Sequence, residues 1–426
     1  MSGAGANRAP TDAALGRLLP ELRALYTDLH AHPELSGQET RTAAVAAARL
    51  RAAGFDVTTG VGGTGVVGLL RHGDGPTVML RADMDALPVA EATGLPYAST
   101  ATATDAEGRT VPVMHACGHD MHVAWLAGAA AVLAEARDAW RGTVMAVFQP
   151  AEETGTGARA MLDDGLFERF PRPDVVLAQH VMAAPAGLVS SRAGVVTSAG
   201  DSLRVRLFGR GAHGSMPQAS VDPVVMAAAA VLRLQTIVAR EVAATESAVL
   251  TVGAVQAGTK ANVIPDEAVL LLNVRTFDAG VRARVLAAVE RVVNAEAEAS
   301  GAPRPPEITT LDHYDVVEND AEATRRVGDA FRRHFPAGRV AASGPTTASE
   351  DFGCFGAQWR TPSVFWFVGG TDADLYARAE ADGRLGELPT NHNPRFAPVV
   401  DPTLATGVEA FVAASLAWLG AEAPAG

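Results

Sequence analysis

The segment Met114–His122 concentrates potential metal ligands just ahead of a predicted helix. It reads Met-His-Ala-Cys-Gly-His-Asp-Met-His, so three imidazoles, a thiol and a carboxylate share nine positions. One histidine in such a place is more often a helix cap or a core residue, but the density of this cluster favours a metal site. Thiolate and imidazole suit zinc and similar ions, and carboxylates extend the choice to manganese or cobalt.

Further polar residues follow short apolar runs elsewhere in the chain. Asp83 and Asp85 follow the run Thr77–Leu80, and Glu152 and Glu153 follow another. Neighbouring side chains diverge, so we expect Glu152 and Glu153 to differ in role. One can bind metal while the other acts on the substrate as a general base. A solvated acidic turn is the alternative.

Two more histidines are candidates that the sequence alone leaves open. We expect His180 to end the strand that starts near Asp174, where it is either a ligand or an ordinary strand-end residue. His392 lies in the turn-forming segment Asn391-His392-Asn393-Pro394, and for this residue alone a surface loop is the better interpretation.

The apolar runs that precede these residues predict an α/β fold. They alternate with helical patterns, which indicates a mainly parallel sheet covered by helices. Such sheets bind ligands at the carboxyl ends of their strands, where we expect the polar groups to meet.

After Gly187 the pattern changes. Leu203, Val205 and Leu207 alternate with charged residues, as in a sheet with one solvated face, and the predicted order of elements is β-α-β-β-α. We interpret this module as an insertion into the α/β domain. The predicted division is a catalytic domain over 1–190 and 308–426, interrupted by an inserted domain over 191–307.

Three residues of the inserted module lie in turns or at a strand end and could contact a substrate. His213 is in Gly209–Ser215, Asn262 is in Asn262–Pro265, and Arg275 ends a strand. We expect hairpin geometry to bring Asn262 and Arg275 together on one face, where the guanidinium would match a carboxylate. Ordinary turns, with Arg275 paired to Asp266 or Glu267, are the alternative.

Composition and charge exclude several classes of function. The 426 residues are 48% hydrophobic and 19% charged, with a net charge of −13, which disfavours disorder, nucleic-acid binding and a membrane role. The two cysteines suggest no disulfide framework. The N-terminus lacks a secretory pattern, so we predict a cytoplasmic protein.

Two local motifs invite structural interpretations. Gly60–Gly65 fits GxGxxG, but strand patterns follow it, so a glycine-rich hairpin turn is favoured over a dinucleotide site. Ser36 and Glu39 have the spacing of a capping box that opens a helix ending at Gly54.

Taken together, the motifs resemble the aminoacylase and carboxypeptidase family of two-metal amidohydrolases, in its branch of hippurate hydrolases and indole-acetyl-amino-acid hydrolases. The resemblance covers nearly the whole chain. Its segments are His30–Leu35, Arg81–Pro88, Met114–His122, Glu152–Glu153, Asn262–Pro265, Ser349–Phe352 and His392.

The resemblance implies two divalent metal ions per chain, zinc, manganese or cobalt, with Cys117 bridging them. It implies that Asp85 orients a ligand and that the inserted domain is a lid that pairs subunits into a homodimer. The remaining implied roles are metal binding by His119, Glu153, His180 and His392, general base catalysis by Glu152, and substrate contact by His213, Asn262 and Arg275.

We therefore expect a hydrolase that cleaves an N-acyl amino acid, a small molecule, into a carboxylic acid and the amino acid. Glu152 would take a proton from water held by the metals and return it to the leaving amine, while His213 would stabilise the oxyanion. The alternatives are a metallo-dipeptidase or carboxypeptidase of the same family, an NAD-dependent oxidoreductase and a non-catalytic metal-binding scaffold.

Overall fold

The computed structural model describes residues 8–420. The outer ends of the predicted catalytic domain, at residues 1 and 426, lie outside this range. The chain folds as two compact units. The first takes in residues up to Val196, Glu318–Gly344 and the residues from Asp351 onward, and the second takes in Thr197–Val317 and Pro345–Glu350.

The α-helices of residues 8–420 are numbered in chain order. They are α1 (Arg8–Ala31), α2 (Thr40–Ala52), α3 (His119–Glu135), α4 (Gly157–Asp163), α5 (Leu166–Arg169), α6 (Pro223–Glu241), α7 (Ala279–Ala299), α8 (Ala321–His334), α9 (Gly353–Trp359), α10 (Ala373–Ala381) and α11 (Val400–Leu419). Short 3₁₀ turns occupy Arg137–Ala139, Pro217–Ala219 and Leu385–Glu387.

The strands are numbered in the same way. They are β1 (Asp56–Val61), β2 (Gly65–His72), β3 (Thr77–Asp83), β4 (Thr102–Thr104), β5 (Thr110–Pro112), β6 (Gly142–Gln149), β7 (Val175–Pro185), β8 (Val189–Ser191), β9 (Gly194–Thr197), β10 (Ala199–Phe208), β11 (Ala212–His213), β12 (Ala248–Ala257), β13 (Val263–Ile264), β14 (Glu267–Thr276), β15 (Glu307–Tyr314), β16 (Val317–Asn319), β17 (Val340–Ala342) and β18 (Ser363–Thr371).

The first unit is built on an eight-stranded sheet with the order β1-β2-β6-β3-β7-β18-β8-β17. Its central strands β6, β3, β7 and β18 are parallel to one another. These strands are almost wholly buried, which explains why their sequences are continuous apolar runs. Helices α1, α3, α8 and α11 share one large apolar core with the sheet. The predicted α/β class with a mainly parallel sheet is confirmed.

The parallel register decides which polar residues lie side by side. Asp83 pairs with Gln149 of β6, and Arg81 pairs with Ala178 of β7. His180 is therefore level with Asp83. The prediction that His180 ends its strand is wrong, because β7 continues to Pro185 by pairing with β18.

The second unit contains a four-stranded antiparallel sheet with the order β12-β14-β10-β15. Alternate residues of β10 and β14 are buried against α6 and α7, which produces the alternating pattern of the sequence. This unit begins at Thr197 and extends to Val317, beyond the predicted end at 307. The reason is that β15 pairs along β10.

The structure agrees with the prediction for one local motif, the glycine-rich turn, and contradicts the prediction for the other, the capping box. Gly60–Gly65 forms the turn of the antiparallel β1–β2 hairpin, so the helix that a dinucleotide fingerprint requires is replaced by a strand. The predicted capping box is wrong: the Ser36 hydroxyl donates to Asp85 Oδ2 at 2.6 Å, and Glu39 makes no capping bond to α2. Helix α2 nevertheless ends just before Gly54, as predicted.

Within residues 8–420, helices α6 and α11 are long and apolar enough to cross a membrane by length and composition. In α11, 61% of the apolar window is buried inside the protein, as in the core helix of a globular protein. In α6 the share is 33%. This is weak evidence for a membrane span.

Candidate active site

Most of the predicted site residues lie on helices, strands and loops of the first unit. His119 is the first residue of α3, and Cys117 lies two residues before it. Gly118 between them has φ +85°, and a Cβ atom there would lie 2.4 Å from Val181 Cγ1. Only glycine therefore allows the chain to turn so sharply between two potential ligands.

The potential ligand atoms converge. Cys117 Sγ lies 3.5 Å from His180 Nε2, and His392 Nε2 lies 3.3 Å from Glu153 Oε2. His119 Nε2 is 3.9 Å from Glu152 Oε2 and from Glu153 Oε1. The structure thus brings together every metal ligand and the general base that the sequence analysis names.

These atoms form overlapping groups that could each hold an ion. Within each group the ligand atoms all lie within 4.8 Å of one another. Cys117 belongs to two groups, one with His119 and His180 and one with Glu153 and His392. A residue that bridges two metal ions must belong to two ligand groups, as Cys117 does.

Unpaired buried atoms provide an independent test of whether a cation fits. His119 Nε2 and Glu153 Oε1 are buried and have no hydrogen-bond partner in the described part of the chain. Leaving such atoms unpaired costs about 1–3 kcal/mol each. A divalent cation would satisfy both atoms at once, and the set of thiol, imidazole and carboxylate suits zinc, manganese or cobalt. The residues therefore fit a metal site.

The protonation equilibria of these groups agree with that fit. Burial raises the pKa of the Cys117 thiol, and the nearby Glu153 carboxylate raises it further. Contacts with Cys117 and Glu153 raise the pKa of His392 to about 10. These two groups therefore hold protons in the metal-free chain, and a bound metal would displace them. Burial holds the pKa of His180 well below its ordinary value, so this imidazole is neutral and ready to bind.

Asp85 links two of these potential ligands. Its Oδ1 lies 3.1 Å from His119 Nδ1, and its Oδ2 accepts the Glu153 N–H at 2.9 Å. The bond to Nδ1 leaves Nε2 of His119 for the metal. This geometry suits the orienting role that the family resemblance implies for Asp85.

The other histidines of the Met114–His122 cluster differ from His119. His122 is held through both ring nitrogens, by Asp83 and by the Val181 N–H, so it is a core residue. His115 is buried, and in the described chain neither of its nitrogens has a hydrogen-bond partner. Burial lowers the pKa of His115 to about 4, so this imidazole is neutral.

Sequence reasoning missed two supporting groups. Asn391 Nδ2 donates to the carbonyl oxygens of Cys117 and Val181, both at 3.1 Å. The sequence feature that could have identified Asn391 is its position next to the candidate ligand His392. The second is the buried pairing of Arg81 with Asp83 and Asp351. The sequence analysis names the segments that contain these residues, but no local pattern indicates that they pair.

His213, Asn262 and Arg275 belong to the second unit. His213 is exposed on β11, which pairs with β13, and the Gly214 N–H donates to the Asn262 carbonyl at 2.8 Å. Arg275 lies near the end of β14, where Nε donates to Asn273 Oδ1 at 2.9 Å and NH1 donates to the Ser349 hydroxyl.

The expectation that Asn262 and Arg275 meet on one face is wrong for a single chain. Asn262 precedes the start of β14 at Glu267, and Arg275 is eight residues further along this strand. Eight residues of extended strand span roughly 27 Å, at about 3.4 Å per residue. His213 and Asn262 therefore form one group in the second unit, and Arg275 forms another.

Comparisons with known proteins agree with this geometry. The model of peptidase family M20/M25/M40 matches residues 79–415. An N-acetyl-L-cysteine deacetylase of Bacillus subtilis is 37% identical over 369 residues, which are 84% of this chain and 82% of the relative. A hippurate hydrolase of Campylobacter jejuni is 36% identical over 340 residues, covering 79% of this chain and 85% of the relative.

A solved structure is similar over almost the whole chain. It is a dinuclear metal-binding peptidase of the M20 family from Bacillus subtilis, with a TM-score of 0.74 and 28% identity. The similarity covers 94% of this chain and 98% of that one. The predicted family is confirmed, and with it the predicted class of enzyme, a hydrolase of linear amide bonds. From these matches over most of its length, the chain belongs to peptidase family M20/M25/M40.

Proposed function

We propose that this protein is a metal-dependent amidohydrolase that cleaves N-acyl amino acids into a carboxylic acid and a free amino acid. The observation that carries the proposal is the shared position of Cys117 in two ligand groups, with the Glu152 carboxylate next to them. The similar deacetylase and hippurate hydrolase, whose names refer to N-acyl amino acids, support it.

Two divalent ions, zinc, manganese or cobalt, would be held by Cys117, His119, Glu153, His180 and His392. When bound, such ions lower the pKa of water and polarise a carbonyl oxygen. The NAD-dependent alternative loses its basis, because Gly60–Gly65 is a hairpin turn.

Glu152 is the residue that moves the proton. Its Oε2 lies 3.9 Å from His119 Nε2, close to the proposed ligands, and the side chain is buried. A carboxylate here can accept a proton from the attacking water and return it to the leaving amine nitrogen. Glu153 cannot share this work, because it lies against His392 and is a proposed ligand.

Arg275 would recognise the free α-carboxylate of the substrate. The alternative partners of its guanidinium are engaged elsewhere: Glu267 pairs with Arg206, and Asp266 accepts the Gly211 N–H. Among residues 8–420, no carboxylate lies within ion-pair distance of Arg275. Its bonds to Asn273 and Ser349 hold the guanidinium by neutral groups, which leaves its charge for a ligand.

A homodimer through the second unit accounts for the separation of His213 from Arg275. Strand β12 is an edge strand with Val249 and Val255 exposed, and the adjacent α6 exposes Val225 and Leu232, the latter by 73%. A second copy can cover such an edge by pairing with it symmetrically. We propose that His213 and Asn262 then act on the substrate bound by the partner subunit. A cytoplasmic location stays a prediction.

The first experiment tests the reaction itself. Purified protein is stripped with a chelator, reloaded with Zn²⁺, Mn²⁺ or Co²⁺, and assayed for amine release from N-acetyl, N-benzoyl and indole-acetyl amino acids and from dipeptides. We expect no activity in the stripped protein, recovery with at least one metal, and about two ions per chain. Full activity without metal contradicts the proposal, and faster cleavage of the dipeptides favours a dipeptidase or carboxypeptidase.

The second prediction separates the two glutamates. Glu152→Gln should keep its metal and lose hydrolysis by at least about 10²–10⁴-fold, because an amide neither accepts nor returns the proton. Glu153→Gln should instead bind less metal. Metal analysis and rates measured on the same preparations decide the matter, and the opposite pattern would reverse the two roles.

The third prediction concerns carboxylate recognition. Arg275→Lys should lower kcat/KM for N-acyl amino acids by about 1.5–3 kcal/mol, or about 10- to 100-fold, because lysine lacks the paired donors. The slow rate on the matching amino-acid amides should barely change. Arg206→Lys, in the same sheet, is the control and should alter neither substrate. Equal losses on acids and amides would assign Arg275 a structural role.

The fourth prediction tests action across a dimer. His213→Ala and Glu152→Gln proteins should each be nearly inactive, and mixing them should restore activity, because mixed dimers contain one site with an intact Glu152 and an intact His213. Size-exclusion chromatography of the mixture provides the oligomeric state. Mixed dimers without recovered activity would show that each chain supplies its own His213.

A further inference from the structure

Glu39 is a buried carboxylate outside the proposed ligand set. Its side chain is inaccessible to solvent, and within the described chain no cationic side chain lies within ion-pair distance. Its two carboxyl oxygens are held by hydrogen bonds instead. Oε1 accepts the N–H groups of Gly37 and Ala151 at 2.7 and 2.9 Å, and Oε2 accepts the Thr64 hydroxyl at 2.6 Å.

The bond to Ala151 reaches the turn that presents Glu152. Ala151 has φ +50°, a conformation that residues other than glycine rarely adopt. Its carbonyl accepts the N–H of Gly157 at 3.0 Å, and a Cβ atom on Gly157 would lie 1.6 Å from the Pro150 carbonyl oxygen. The backbone before Glu152 is therefore held in a strained and tightly closed turn, which requires support from its surroundings.

The residues on either side of Glu152 are anchored by different carboxylates. The Ala151 N–H donates to Glu39, and the Glu153 N–H donates to Asp85. Asp85 also lies against His119, so its anchor belongs to the proposed metal site. Glu39 has no hydrogen bond to a proposed ligand; besides the Ala151 N–H it holds the Gly37 N–H and the Thr64 hydroxyl.

Glu39 is itself held by the glycine-rich turn between β1 and β2. Thr64 belongs to this turn, and the Gly62 N–H donates to Asp164 Oδ2 at 3.1 Å. A Cβ atom on Gly62 would lie 2.5 Å from Met161 N, so the hairpin packs directly on α4, the helix that follows the Glu152 turn. The GxGxxG segment thus contacts Glu39, through Thr64, and the helix that follows this turn, through Gly62.

We propose that Glu39, held by Thr64, is a positioning residue that fixes the backbone at Ala151 and so orients the Glu152 carboxylate for proton transfer. The inference rests on the proposed function in one respect, the role of Glu152 as general base. The anchoring itself is a property of the fold.

The test compares Glu39→Met with Glu39→Gln. Methionine removes both acceptor oxygens at similar size, and we expect kcat to fall by about 10- to 100-fold, as for a displaced catalytic group. KM and bound metal should stay within about twofold, because the Glu153 N–H keeps its bond to Asp85. Glutamine retains an oxygen for the two N–H groups and an amide that can donate to Thr64, so it should restore most of kcat.

Glu34 provides a matched control. It also accepts two backbone N–H groups, of Arg41 and Thr42 at 2.9 and 2.8 Å, but these lie at the start of α2 and not in the Glu152 turn. Glu34→Met should lower the melting temperature, with kcat unchanged. A similar loss of kcat in both methionine variants would reduce the role of Glu39 to general stability and overturn the proposal.

Hydrogen exchange gives a measurement that needs no turnover. In Glu39→Met the amide of Ala151, followed in a peptide over residues 148–157, should exchange faster than in the wild type and in Glu34→Met. Unchanged exchange in this peptide overturns the anchoring role. If the wild type cleaves no N-acyl amino acid, the proposed function fails, while the exchange result still decides whether Glu39 anchors the turn.

Discussion

The desolvation of unpaired ligand atoms is the constraint on which the rest of the site depends. His119 Nε2 and Glu153 Oε1 are removed from water without a partner in the described chain. The fold tolerates this cost because rigid elements hold the atoms: the start of α3 holds His119, and a turn anchored to Asp85 holds Glu153. A cation offsets the cost when it binds, so the binding free energy of the metal is coupled to the stability of the first unit.

Carboxylates serve two distinct purposes around this centre. Some point their oxygens at the place where cations are expected, as Glu153 does. Others, such as Asp85 and Glu39, use their oxygens to hold backbone N–H groups and neighbouring side chains. The division follows from geometry, since a turn that carries reactive side chains has few internal hydrogen bonds and needs acceptors from elsewhere in the chain.

The parts of this fold that could be predicted are those that local sequence encodes. Strands β3 and β6 were predictable because burial on both faces requires continuous apolar runs. Cys117, His119, Glu152 and Glu153 were candidates because they lie in short polar clusters. For His180 and His392 local sequence left the role open, and only the family resemblance named them as ligands. Features set by pairing between distant segments were not. The extension of the second unit through β15 depends on β10, and the separation of Asn262 from Arg275 depends on the length of β14.

The capping-box motif shows why local patterns can mislead at a functional site. Ser36 and Glu39 have the right spacing to cap α2, but their side chains bond Asp85, Thr64 and the Ala151 backbone instead. The nearby Glu34 caps the helix in their place. Residues with the spacing of a helix cap can thus form tertiary contacts around a functional site instead of capping the helix.

The thiol of Cys117 has a consequence for how the protein responds to oxidants. A carboxylate at this position would be chemically inert, whereas a thiolate can be converted to sulfenic acid and then, irreversibly, to higher acids. Because Cys117 belongs to two ligand groups, its oxidation would remove a donor from both at once. The side chain is only 7% exposed, which restricts access by oxidants and leaves the surrounding fold to protect the most oxidisable atom of the site.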